Sequence, residues 1–215
     1  MTARTMSLST MLARTLKQDT NDAVIREALK AELTILHAKD RRLRIIEEFG
    51  VRHGSARVDI AVVNGVLHGY EIKSDRDTLL RLPEQMDAYN AVFDQVTLVV
   101  GKSHLYEAMH AVPDWWGIKI AKVQDDQSVY FCVIREAREN PMKDSIAIAQ
   151  LLWRQEALNI LDDKGAAIGL RSKSRAQIYE RLTTIFDQES LREKVRETLF
   201  FRDWRSDSPL VLNGD

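Results

Sequence analysis

The chain has little of what staples a protein or anchors it in a membrane. Its 215 residues include one cysteine, Cys132, so no disulfide can close within the chain. A lone thiol fits a reducing, cytoplasmic setting, and within its apolar run Cys132 reads as buried and inert. No stretch approaches the ~18 uninterrupted apolar residues that cross a bilayer, so no membrane partner is expected. Four prolines and nine glycines are too few for a collagen-like or low-complexity chain. Neither sign of charge prevails: 31 Lys and Arg stand against 32 Asp and Glu, a net charge of −1. That argues against a wholly basic nucleic-acid binder but leaves room for a local basic groove. The opening MTARTMSLSTMLARTLKQDTND has no apolar core and does not read as a secretory signal.

What is present is a globular composition, 45% hydrophobic and 29% charged, which excludes a disordered chain. A chain this long buries roughly 70% of its unfolded surface. Residues 1–20 lack periodicity and read as a loose leader. From Asn21, a capping residue, Val24, Ile25, Ala28, Leu29, Ile35 and Leu36 mark one broad helical face. Three β-like runs follow, at about Leu43–Val51, Ala56–Val63 and Val66–Lys73. Pro83 suits the first turn of a helix over about 82–93, followed by an apolar strand at 95–100 and a short helix at 103–111. Two more strands are expected at 118–123 and 128–134, then three helices at 144–162, 174–187 and 189–201. The reading is an α/β core over residues 21–139, with a mixed central sheet, and a helical extension over 140–215.

The informative segment runs from Arg57 to Tyr89. Asp59 lies between Val58 and Ile60, and Glu71 between Tyr70 and Ile72, both where a sheet prefers apolar residues. An ionised carboxylate facing a core is costly unless paired or bound to a cation. Mg²⁺ and Mn²⁺ take oxygen ligands, which Asp59, Glu71 and the carbonyl of Ile72 could supply. Lys73, two residues after Glu71, shares its face of the strand and could hold a water or a phosphate. Together these residues suit metal-assisted hydrolysis of a phosphodiester. The bland alternative is a buried salt-bridge network.

The turn decides whether such a site can exist. A two-residue Asn64-Gly65 turn would pair Val63 with Val66 and Asp59 with Tyr70, leaving Asp59 and Glu71 on opposite faces. A three-residue loop or a bulge, with Gly65 left-handed, would put them together. An odd loop or bulge is therefore expected.

Asp59 followed by Glu71-Ile72-Lys73 resembles the signature of the PD-(D/E)XK nuclease superfamily, whose core is αβββαβ, the restriction-endonuclease-like fold. Gln85-Met86-Asp87-Ala88-Tyr89 resembles the Gln/Tyr element of its RecB-type members. The run GYEIKSDRDTLLRLPEQMDAYNAVFDQVTLVVG is similar to a family of small, largely uncharacterised bacterial proteins placed in that superfamily. The chain departs from the pattern in having Val58 where a proline often precedes the Asp. The resemblance implies a Mg²⁺- or Mn²⁺-dependent deoxyribonuclease acting in repair, restriction or defence. It assigns catalysis to Asp59, Glu71 and Lys73, with Gln85 and Tyr89 supporting the lysine and contacting DNA. It also implies an upstream acidic ligand, for which Glu27, Glu32 and Glu48 compete. Glu48 and Glu32 are the two carried forward. Arg57, Arg76 and Arg81 are candidate phosphate contacts, and so are Arg171, Lys173 and Arg175 at a helix start. A duplex cutter would suit a homodimer. The alternative function is an inactive nuclease-fold module that binds nucleic acid or a protein. His53, His68 and His104 read as surface or phosphate-contacting residues, and Trp115 and Trp116 as core.

Overall fold

The computed structural model describes residues 20–124 and 126–204; the expected leader, Thr20 apart, lies outside them. Six strands form one mixed sheet in chain order. They are β1 (Arg44–Val51), β2 (Ala56–Val63), β3 (Leu67–Lys73), β4 (Gln95–Val100), β5 (Gly117–Val123) and β6 (Val129–Arg135). The β1–β2, β2–β3 and β5–β6 pairs are antiparallel; β3–β4 and β4–β5 are parallel. The two parallel steps require crossovers, supplied by helices α2 (Leu82–Val92) and α3 (Leu105–Ala111). Successive crossovers of one hand, stepping the same way across a sheet, lie on one face. Leu82, Tyr89 and Val92 of α2 and Ala108 of α3 accordingly share one core.

Helix α1 (Asp22–Leu36) covers the other face, capped by Asn21. Its buried residues are Ile25, Leu29 and Leu33, packed on Ile60, Val62, Tyr70, Ile72 and Val99. This stripe is narrower than the expected one: Val24, Ile35 and Leu36 are exposed. Ile35 points away from Leu33, and Leu36 is the last helical residue, so neither meets the sheet.

The C-terminal region holds four helices: α4 (Ser145–Ala149), α5 (Arg154–Asp162), α6 (Arg175–Ile185) and α7 (Gln188–Phe201). The single helix expected at 144–162 is two, because the chain restarts at Trp153, whose N–H donates to Glu156 at 2.7 Å. These helices have no separate core. Ile148, Leu152, Tyr179 and Leu191 are continuous with Phe49, Val58, Tyr89 and Phe93, so the extension is a layer of the same domain. Trp115 and Trp116 are buried there too. Cys132 is only half-buried, because β6 is an edge strand. Among the described residues no helix is long and apolar enough to cross a membrane.

One buried acid ties the layers together. Asp94, just beyond α2, accepts the Leu67 N–H at 2.7 Å and pairs with Arg192 and Arg196 of α7. Asn140 donates to the carbonyls of Asn90 and Phe93 at 2.7 and 2.8 Å. Asp94→Ala would take the buried partner from Arg192, leaving it Glu189 alone, and would leave the Leu67 N–H without its acceptor, at a cost of about 3 kcal/mol. Denaturant unfolding should show that loss, with a smaller one for Asp94→Asn, which keeps an acceptor for Leu67. Equal stability of wild type and Asp94→Ala would refute this account of the layer contact.

Candidate active site

The β2–β3 connection is a three-residue loop, Asn64-Gly65-Val66, closed by the pair Val63↔Leu67. Gly65 has φ +107°, a conformation that side chains disfavour. The register continues to Ile60↔Tyr70, which sets Asp59 opposite Glu71. The odd loop expected from the parity argument is present. The ladder ends at Ile60↔Tyr70 although both strands continue, and the Ile72 N–H donates instead to Asp59 Oδ2 at 2.7 Å.

Glu71 is 2% exposed and fully engaged. Its Oε1 accepts from Lys73 Nζ at 2.7 Å and from Gln85 Nε2 at 2.6 Å. Its Oε2 lies 2.8 Å from the Tyr89 hydroxyl, which is also 2.6 Å from the carbonyl of Arg57. Gln85 and Tyr89, one turn apart on α2, thus present one face to β3. The resemblance implied that this pair supports Lys73 and touches DNA. In the structure both bond Glu71, and Tyr89 is buried beneath Trp116 and Phe93, out of reach of any polymer.

Asp59 is held from the other side of the sheet. Arg26 of α1 donates from Nη2 to Asp59 Oδ1 at 2.6 Å and to Asp22 at 3.1 Å, and from Nη1 to Glu48. Glu48 lies on β1 between the pairs Glu47↔Ile60 and Phe49↔Val58, facing Asp59 in register. Its φ is +51°, and Arg52 and His53 in the following turn are also left-handed, at +48° and +56°. Three such non-glycine residues beside one cavity mark a segment held in place by its surroundings.

A cavity of about 730 Å³ opens between these groups. Asp59, Glu71, Ile72, Lys73 and Gln85 line it, with Arg26, Arg52, Arg57 and Arg81 around them. Burial, and next the charge of Glu71, push the Asp59 carboxyl up to about 7 despite Arg26 and the Ile72 N–H. Burial lowers the tendency of Arg26 to stay charged, but Asp59, Glu48 and Asp22 outweigh it and hold its pKa above the ordinary value. Burial and Glu71 raise Tyr89, which stays a neutral donor.

The donor set is of the kind a hard divalent cation takes. The donors are oxygens: two carboxylates and the Ile72 carbonyl. Gln85 Oε1 is buried without a hydrogen-bond partner among the described residues, an acceptor a bound water would satisfy. Among those residues no group of three or more His, Cys, Asp or Glu side chains is placed to hold a metal ion. Of the two upstream acids carried forward, Glu48 lines the cavity, joined to Asp59 through Arg26. Glu32 does not reach it: it lies off the α1 stripe and pairs with Lys119 of β5 at 2.6 Å. Glu27 pairs with Lys30 on the outer side of α1.

Arg57 and Arg81 line the cavity, whereas Arg76 is exposed outside it. Arg171 pairs with Asp162, and Arg171 and Lys173 lie on a separate loop braced by Arg154 through their carbonyls. Arg175 stands nearer: His53, on the turn beside the cavity, stacks on Tyr179 of α6 at 5.8 Å, and burial and then the Arg175 charge lower its pKa. His68 is half-buried and engaged within the sheet. It stacks on Tyr70 and lies 2.9 Å from Thr97 Oγ1, and burial lowers its pKa to about 3. Sequence reasoning missed Arg26 and Arg52. The Asp22–Arg26 spacing signals a helical ion pair, but nothing local reveals which strand α1 crosses.

The raised Asp59 pKa stabilises the fold most at low pH, and that contribution fades as pH rises from 3.8 through about 7. In metal-free buffer, the melting temperature of wild type relative to Asp59→Asn should therefore fall across that window. A difference independent of pH, by scanning calorimetry, would contradict the assignment.

Comparison with known proteins gives the chain its relatives. The cII protein of Enterobacteria phage P4 is 31% identical over 121 residues, which are 56% of this chain and 46% of that protein. The chain thus spans about half the length of the curated relative it matches. A solved structure of a protein of unknown function from Silicibacter pomeroyi overlaps 65% of this chain and 87% of its own. At a TM-score of 0.37 and 18% identity, that overlap carries no argument. The family model for bacteriophage P4 protein cII matches residues 17–211, nearly the whole chain, and by that match the chain belongs to the phage P4 cII family.

Proposed function

We propose that the protein is a metal-dependent nuclease of the PD-(D/E)XK kind, hydrolysing phosphodiester bonds in DNA. The observation that supports it most is the register of Asp59 opposite Glu71, with Lys73 bonded to Glu71, in a cavity rimmed by arginines. Asp59, Glu71 and the Ile72 carbonyl would hold Mg²⁺ or Mn²⁺. When bound, such an ion supplies a water of lowered pKa and neutralises charge developing on the phosphate.

The chain's own residues do the rest. Lys73 Nζ orients the attacking water and faces the scissile phosphate. Gln85 and Tyr89 keep Glu71 in one rotamer, so two rigid donors fix the geometry of the site. Arg57 and Arg81 bind flanking phosphates, and Arg175 extends the contact toward α6. Water adds to phosphorus, the bond to the leaving oxygen breaks, and that oxygen takes up a proton, leaving a phosphate monoester and an alcohol. A repair, restriction or defence role suits this chemistry. One observation favours the rival reading of an inactive binding module: Arg26 already neutralises Asp59.

Supercoiled plasmid and single-stranded DNA incubated with Mg²⁺, Mn²⁺ or EDTA separate these readings. Wild type should cut with metal and not in EDTA, and Lys73→Ala should lose about 100-fold or more of the rate. No cleavage by folded wild type, with DNA binding retained, would favour the inactive module. Arg57→Ala and Arg81→Ala should each weaken DNA binding and lower its salt slope by about 1.

A further inference from the structure

Arg26 stands in the cavity wall, and the reaction leaves its role open. It reaches the site from α1, on the opposite face of the sheet from α2. Its guanidinium is a fork between Asp59 Oδ1 and Glu48, with Asp22 on the same nitrogen as Asp59. The other oxygen of Asp59 is taken by the Ile72 N–H. The oxygen Arg26 covers is thus the one on which Asp59 has no backbone donor. A divalent cation bound through that oxygen would meet a guanidinium at hydrogen-bond distance, and like charges so placed exclude each other.

The surroundings give the arginine somewhere to go. Asp22 precedes it by four residues on the same helix, the spacing at which side chains face each other. Asp22 is 42% exposed and Glu48 49%, whereas Arg26 is 16% exposed. Rotation of the Arg26 side chain toward Asp22 and solvent would release Asp59 without moving α1. Glu48, held left-handed beside it, would keep one arm of the fork.

We propose that Arg26 is a built-in counter-cation of the site, competing with the divalent metal for Asp59 and so setting the metal concentration at which the site fills. The inference rests on the reading of Asp59 and Glu71 as metal ligands. It concerns regulation of that site, in which Arg26 neutralises the buried carboxylate until the ion displaces it.

Calorimetric titration of Mn²⁺ into metal-free protein tests this without any cleavage assay. Arg26→Gln should bind Mn²⁺ about tenfold more tightly than wild type or better, since one charge-assisted contact no longer has to be broken. Arg26→Lys, a point charge that cannot fork two carboxylates, should fall between them. Melting curves keep the test sound if the variants are weakened. Metal-free Arg26→Gln should melt below wild type, and saturating Mn²⁺ should close most of that gap. Affinity unchanged or weaker in Arg26→Gln, with Asp59→Asn abolishing binding, would overturn the competition and make Arg26 a positioning residue. No Mn²⁺ binding by folded wild type, Arg26→Gln or Arg26→Lys would overturn the metal site itself, and this inference with it.

Discussion

Two carboxylates set opposite each other on adjacent strands impose the constraint on which the rest of this structure turns. Asp59 and Glu71 are both largely removed from water, and neither can remain ionised without a partner. Glu71 is compensated from its own face of the sheet by Lys73, Gln85 and Tyr89. Asp59 is compensated from the other face by Arg26 and from the backbone by Ile72. Both helices next to the site therefore have a polar task. Helix α2 must bring Gln85 and Tyr89 over β3, and α1 must bring Arg26 to the end of the β2–β3 ladder.

The two halves differ in mechanical character. The Glu71 half is buried and aromatic: Tyr89 packs edge-on to Phe93 and stacks near Trp116, so its hydroxyl has little freedom. Phe93 also lies so close to β3 that a side chain at Gly69 would come within 3.2 Å of its ring. The Asp59 half is open to the cavity and built from long side chains and a left-handed turn. A site proposed to bind an ion and a polymer would benefit from this division. Rigid groups fix where charge is needed, and mobile ones yield to what arrives.

The C-terminal helices belong to this arrangement. Asp94 and Asn140 join them to the end of α2, and the His53–Tyr179 stack carries α6 to the turn beside the cavity. The layer thus holds α2 down on the sheet and braces the turn beside the site. Its place in the same core explains why no linker composition marks the boundary near Pro141.

The elements were legible in the amino-acid sequence because period-two and period-3.6 patterns are local. The six strands lie within about two residues of where alternation and turn residues put them. The parity of the hairpin was legible too, since Asp59 and Glu71 can share a face only across an odd loop. Other features depend on contacts between residues far apart in the chain. Periodicity put Ile35 and Leu36 on the apolar face of α1, and only docking on the sheet showed that Ile25, Leu29 and Leu33 are the buried stripe. Gln85 and Tyr89 were visible as a pair, but their partner, Glu71 in place of Lys73, follows from where α2 lies on β3. Arg26 was legible only as a helical partner for Asp22. It is 33 residues from Asp59, and a guanidinium on a helix surface looks the same in sequence whether it faces water or a buried carboxylate. Sequence by itself determined the strands, the turn and the carboxylates set among apolar residues, because each depends on neighbours along the chain. Tertiary structure alone decided which charges meet, because Coulomb pairing in a desolvated cavity depends on distance through space.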